Sequence, residues 1–242
     1  MSRSIPFLAI SVVILSLSFA VSPALTSDFA GFKPTQFPVV QEFWPIQPAG
    51  WAFGIWGVIY LWLILGAFWG LRYAAVDPAW QAFRKPLLIS LGIGTFWVEA
   101  ASRSPVLATV MIFLMAVTSI FAFLRAGPEV PGWQVRPIAL YSGWLTAATG
   151  VGIGVVLSGY GVMSPKTAAL VMLIAVLMAA LLVQSRRPAE WAYPAAVIWA
   201  LIGVIAANVT PENWTIIALA AAGILALISR FFLVNRRPRL PQ

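Results

Sequence analysis

Residues 47–70 read QPAGWAFGIWGVIYLWLILGAFWG. No charged side chain interrupts this run, which holds four of the chain's twelve tryptophans and one of its five tyrosines. Roughly 20 apolar residues suffice to cross a bilayer as a helix, so the stretch predicts a transmembrane span. Two stripes recur along it at helical spacing. One is Phe53, Trp56, Tyr60, Ile64 and Ala67; the other is Trp51, Ile55, Val58, Trp62, Leu65 and Trp69. Gly50, Gly54 and Gly57 add small positions that let another helix come close. One stripe should face the bundle and the other lipid. Trp51 and Trp69 suit an interfacial belt, whereas Trp56, Tyr60 and Trp62 lie at mid-helix depth, where an interior aromatic pocket and lipid contact are both open readings.

The rest of the chain has the same character. Its 242 residues are 61% hydrophobic and 9% charged, with a mean hydropathy of +0.92, against about 25% charged residues in a soluble domain. An integral membrane protein follows. Without cysteine there is no disulfide, thiol nucleophile or thiolate metal site. Without histidine the commonest general base and axial haem ligand are missing. The net charge of +8 does not indicate nucleic acid, because the cations sit at span ends and form no soluble face.

Eight spans are predicted: Ile5–Leu25, Ala49–Tyr73, Pro86–Ala101, Ser104–Arg125, Pro137–Ser158, Lys166–Gln184, Glu190–Asn208 and Trp214–Val234. Prolines mark several breaks, where the first helical turn tolerates the missing N–H. The segment SRSP at Ser102–Pro105 reads as a tight hairpin. With eight spans, one face receives twelve of the fifteen basic residues and the other only Lys33, Arg103 and Lys166. Cytoplasmic loops are enriched in Lys and Arg, so both termini are expected in the cytoplasm, at a bacterial cytoplasmic (inner) membrane. The first span also resembles a secretory signal, but its apolar run exceeds the usual 7–15 residues of such a region; a retained helix is the expectation.

The one long loop, Thr26–Pro48, carries Phe29, Phe32, Phe37, Phe43 and Trp44. That is too aromatic for a solvated linker, and loops of this length are usually functional or disordered. It is expected to fold over the bundle as a lid. Glu99, the acid placed furthest into a span, has Arg103 four residues on and reads as a helical ion pair. Asn208 and Gln184 read as ordinary span ends. Ser142, Thr146 and Thr149 could bond across helices, back to their own backbone or to a ligand; a structural role is the expectation. No catalytic residue is assigned: the lysines all lie outside spans or at the very start of one, no paired carboxylates share one, and there is no phosphate-binding glycine loop. No metal site is assigned either.

The sequence resembles the translocator protein, or tryptophan-rich sensory protein (TspO), family. The likeness rests on FKP at Phe32–Pro34, WPIQPAGWAFGIW at Trp44–Trp56 followed by Tyr60, Trp97 in the third span, and Pro137, Tyr141, Trp144, Ala148 and Thr149 in the fifth. It covers about residues 1–158. Gly94 and Gly152 stand where the family usually has asparagines. Spans and resemblance together lead to the expectation of an all-α polytopic membrane bundle of about eight helices, five of them covered by the resemblance and three that the five-helix members lack. A translocator-like five-helix domain would occupy 1–158, with the first-loop lid at 26–48. A three-helix extension with a basic C-terminal tail would occupy 159–242.

The resemblance further implies that a lipophilic molecule, a tetrapyrrole (porphyrin) or sterol-like ligand, is bound for sensing, handling or transport. Trp44, Phe53, Trp56, Tyr60, Trp97, Tyr141 and Trp144 would surround it, with Lys33 at the mouth pairing with a propionate. No cofactor beyond such a ligand is expected. The alternatives are a structural or assembly partner of other membrane proteins or pigment complexes, with no pocket, and a secondary transporter of small lipophiles. Partners are then the lipid bilayer, the lipophilic molecule, and a second copy or another membrane protein; nucleic acid is not among them.

Overall fold

The computed structural model describes residues 6–26, 31–127 and 130–235. Arg3, Ile5, Phe29, Pro128, Arg236, Arg237 and Arg239, all used in reading the sequence, lie outside the described residues. Among the described residues the chain is all-helical: α1 (Phe7–Leu25), α2 (Ile55–Tyr73), α3 (Pro78–Arg103), α4 (Pro105–Arg125), α5 (Val135–Gly159), α6 (Pro165–Arg186), α7 (Ala192–Val209) and α8 (Trp214–Asn235). Short 3-10 turns occupy Pro34–Gln36 and Gly50–Gly54. Seven of these helices are long and apolar enough to cross a membrane. The exception is α3, where charged residues bound the apolar centre at Arg84 and Lys85 and at Glu99 and Arg103.

Helix starts follow local chemistry. Asp77, Ser104 and Ser164 each accept a first-turn N–H, from Ala79, Leu107 and Thr167, and each is followed by proline at the first helical position, where no N–H is wasted. The third helix therefore begins at Pro78, eight residues before the expected Pro86. Pro86 sits inside it. What extends the helix is Arg84, which is 2% exposed and donates to the carbonyls of Gly70 (3.2 Å), Ala74 (3.0 Å) and Ala75 (2.8 Å) at the end of α2. A buried guanidinium is tolerable because three carbonyls at the end of α2 accept from it, two of them while also accepting backbone N–H groups. The α3–α4 hairpin is as tight as SRSP suggests, with Ser104 alone between the two helices.

The centre of the bundle is α5, buried on nearly every side. It packs against α4, α6, α7 and α2, while α1 packs on α2 and α3, and α8 on α7 and α6. Small residues allow this crowding. A Cβ added at Gly143 would stand 2.3 Å from the carbonyl oxygen of Tyr193 in α7. Along α2, Ile55, Ile59, Leu63, Ala67 and Gly70 are buried, with Phe53, Trp56 and Tyr60 half-buried beside them, and Trp51, Val58 and Leu65 exposed. The first stripe thus borders the buried face, while the second is divided: Ile55 is buried, Trp62 and Trp69 are half-buried, and Trp51, Val58 and Leu65 are exposed. The glycines that meet neighbours are Gly66 and Gly70; Gly50, Gly54 and Gly57 have nothing within 4 Å.

Hydrogen bonds identify the two ends of the bundle. At one, the first loop rests on α3, α5 and α7: Gln36 Nε2 donates to Ala101 O at 2.9 Å, Val39 N–H to Gly159 O at 2.9 Å, and Ala49 N–H to Gly203 O at 3.0 Å. At the other, Arg84 joins α3 to α2, and Arg187 donates to Leu124 O and Ala126 O at the end of α4. Arg72, Arg84, Lys85, Arg125, Arg136, Arg186, Arg187 and Arg230 belong to this second end, and Lys33, Arg103 and Lys166 to the first. Glu99 and Arg103 form the expected ion pair.

Candidate functional site

Beneath the first loop lies a cavity of about 50 Å³. Its aromatic walls are Phe53 in the 3-10 turn before α2, Trp97 of α3 and Trp144 of α5; Phe32 and Gln47 come from the loop, and Ala200 from α7. Phe53 and Trp144 meet edge to face with centroids 5.9 Å apart, an arrangement favoured by the ring quadrupoles. Gly31, at φ +116°, adopts a backbone conformation that suits glycine and lies against the Gln47 side chain. The loop thereby closes over the cavity. Two of its other rings are buried, Phe37 at 5% exposed packing on Trp44 at 6%, whereas Phe43 is exposed.

The remaining aromatics form a second group beside the cavity. Trp56 stacks on Tyr60 at 5.3 Å and meets Trp144 at 6.1 Å. Into this group α1 inserts Phe19, which touches Trp56 (5.7 Å), Tyr60 (5.0 Å) and Tyr141 (5.8 Å) edge to face. Gly94 makes the insertion possible, since a Cβ there would lie 2.7 Å from the Phe19 ring. Tyr141 is fully buried, its hydroxyl 2.9 Å from that of Ser90, which donates to Met115 O.

The structure thus gathers Phe53, Trp97 and Trp144 around the cavity, sets Trp56, Tyr60 and Tyr141 in the adjoining cluster with Phe19, and places Trp44 in the loop above. Lys33 is exposed and does not line the cavity.

Most polar groups near the cavity are satisfied internally. Trp97 Nε1 donates to Ala108 O at 2.9 Å. Ser142, Thr146 and Thr149 donate to Ile138, Ser142 and Leu145 carbonyls, as their positions in a helix lead one to expect. Two atoms of lining residues are different: Trp144 Nε1 and Thr109 Oγ1 are buried with no hydrogen-bond partner. A buried unpaired polar atom costs about 1–3 kcal/mol, so an acceptor placed beside either would be held there. Gly152 accounts for the second of them: a Cβ at that position would sit 3.1 Å from Thr109 Oγ1, and glycine supplies no side chain to bond it.

Sequence reading missed Phe19, Thr109, Ala200 and the loop's polar anchor. That anchor is Asn208. It is fully buried and donates to Pro45 O at 2.7 Å, while its own Oδ1 accepts from Asn213; it is not an ordinary helix end. Gln184 is likewise buried, donating to Leu227 O at 3.1 Å. The available signal was an amide at the end of an otherwise apolar helix, where burial requires a partner.

Among the described residues, no three acids gather in a way that could hold a metal ion. The chain belongs to the TSPO-like protein family, whose description it matches over residues 9–233. No curated protein and no solved structure gives a significant match.

Proposed function

We propose that this membrane protein of the TSPO-like family binds a flat, lipophilic molecule of the tetrapyrrole or sterol class beneath its first loop, as a non-enzymatic sensor or carrier. The observation that carries this reading is the cavity walled by Phe53, Trp97 and Trp144 with an unpaired N–H and hydroxyl among its lining residues. Aromatic walls suit stacking on a conjugated ring, and one or two polar atoms in an apolar hollow fix orientation. Without histidine, a porphyrin would be held by stacking and burial, and Lys33 would reach a propionate only from the rim.

Size sets the mechanism. Ligand pockets commonly measure about 300–1,000 Å³, and this cavity is far smaller. A tetrapyrrole therefore requires the first loop to lift, breaking the bonds from Gln36, Val39 and Asn208 that hold it down. Titration of the purified protein with protoporphyrin should quench tryptophan emission saturably. Trp144→Leu should weaken binding about two- to tenfold, the range for one aromatic contact. Linear quenching without saturation, unchanged by Trp144→Leu, would remove the reading.

A second reading has its own support. Gly50 and Gly54 in the turn before α2, with Gly57 in its first turn, leave open positions bordered by exposed Val58 and Leu61, on which a second copy or another membrane protein could pack. Recovery of a stoichiometric partner in mild detergent, lost on Gly54→Leu, would favour an assembly role.

A further inference from the structure

Helices α4 and α6 flank α5 without closing over it, leaving a lateral groove of about 320 Å³ at mid-depth of all three. Phe113, Ala116 and Ile120 form one wall, Met172, Ala175 and Ala179 the other, and Gly150 lies in the floor. The only polar side chains in it, Thr146 and Thr149, already donate to Ser142 O and Leu145 O. Nothing in the groove asks for a polar partner. An aliphatic chain satisfies it fully, whereas a polar ligand would gain no hydrogen bond there.

The ends of the two walls are a different environment. Continuing along α4 from Ile120 brings Arg125, and along α6 from Ala179 brings Arg186, about 8 and 11 Å further at 1.5 Å per residue. Both side chains are exposed. Arg187 ties the two ends together by donating to Leu124 O and Ala126 O on either side of Arg125. Arg125 lies over the Phe121 ring, and among the described residues neither Arg125 nor Arg186 has an acidic partner. An apolar slot thus leads to a pair of cations that have no acidic partner among the described residues, at the basic end of the bundle. Basic pockets of this kind between helices hold anionic head groups.

We infer that this groove seats an anionic phospholipid, one acyl chain lying on α5 between α4 and α6 and the phosphate held by Arg125 and Arg186. The site is separate from the cavity under the first loop and does not depend on the function proposed for it.

Native mass spectrometry tests this directly. The full chain is incubated in detergent with phosphatidylglycerol or with phosphatidylcholine of identical chains, and retained lipid is counted. Retention of phosphatidylglycerol should be about thirtyfold greater, at about fivefold per guanidinium. The double variant Arg125→Gln/Arg186→Gln, which changes only exposed side chains, should reduce phosphatidylglycerol to the level of phosphatidylcholine. Ala175→Trp should displace both lipids by filling the slot. Equal retention of the two lipids by the unmodified chain, or a preference that survives the double variant, overturns the assignment. So does a dimer that Ala175→Trp dissociates while lipid retention is unchanged, since the groove would then hold a second copy.

Discussion

Phe19 and Gly94 form one fitted pair: the ring occupies the space that the missing side chain leaves, and it contacts three of the aromatics named from the sequence. Phe19→Ala should destabilise the protein by about 3–5 kcal/mol, the usual loss for a buried phenyl ring, lowering the melting temperature in detergent. The same change enlarges the hollow beside Trp56 and Trp144, so porphyrin affinity should rise while stability falls. If both fall together, the cluster is a packing unit and not an extension of the cavity. Lys33 gives a contrasting case. An exposed pair is worth about 0–1 kcal/mol, so Lys33→Gln should weaken protoporphyrin binding less than about fivefold in a fluorescence titration, and should not alter binding of its dimethyl ester. Phe53, Trp97 and Trp144 were legible because their motif spacing carries the resemblance. Phe19 was not, because a phenylalanine in a uniformly apolar helix carries no mark that separates core from lipid. Thr109 was hidden for a related reason: its hydroxyl matters only because Gly152, a whole helix away in sequence, leaves it bare.

The helices themselves were legible wherever apolar length alone defined them, and displaced where a buried cation broke that rule, as Arg84 did at the start of α3. Less legible was how far α7 enters the site. It supplies Ala200 to the cavity wall, Tyr193 to a hydroxyl pair with Thr146 at 2.9 Å, and Asn208 to the loop. Trp199 Nε1 donates to Ala52 O at 2.8 Å as well. Sequence distance concealed these contacts, since each crosses from the proposed extension at 159–242 to the proposed five-helix part at 1–158. Asn208→Leu strands the Pro45 carbonyl, at a cost of about 1–3 kcal/mol. Amide exchange in the described part of the first loop should accelerate, at Val39 and Gln47 in particular, while exchange in the core of α5 stays slow. A truncation ending at Ser158 removes α6 and α7 from a helix buried on nearly every side. It should give no monodisperse protein on size exclusion; a well-behaved five-helix product would show that the extension is a separable domain.

At the scale of the molecule, the asymmetry of charge is the feature that orients everything else. The first loop, Arg103 and Lys166 share one end with few cations, while the arginines that close α2, α4 and α6 occupy the other. Because Lys and Arg are retained on the cytoplasmic side, the loop-covered cavity should open away from the cytoplasm, and the lipid groove should draw its head group from the cytoplasmic leaflet, where anionic lipid supplies the attraction. The absence of cysteine makes this directly measurable, since any single introduced thiol is the only one present. Val162 and Ala189 are exposed residues in the loops before α6 and after it, at opposite ends of the bundle. In intact cells a membrane-impermeant maleimide should label Val162→Cys and spare Ala189→Cys until the membrane is permeabilised. The reverse pattern would invert the bundle, placing the cavity in reach of cytoplasmic ligands and the arginine pair in the opposite leaflet. Labelling of both sites in intact cells would mean that insertion is mixed and that the charge difference is too weak to fix a single orientation.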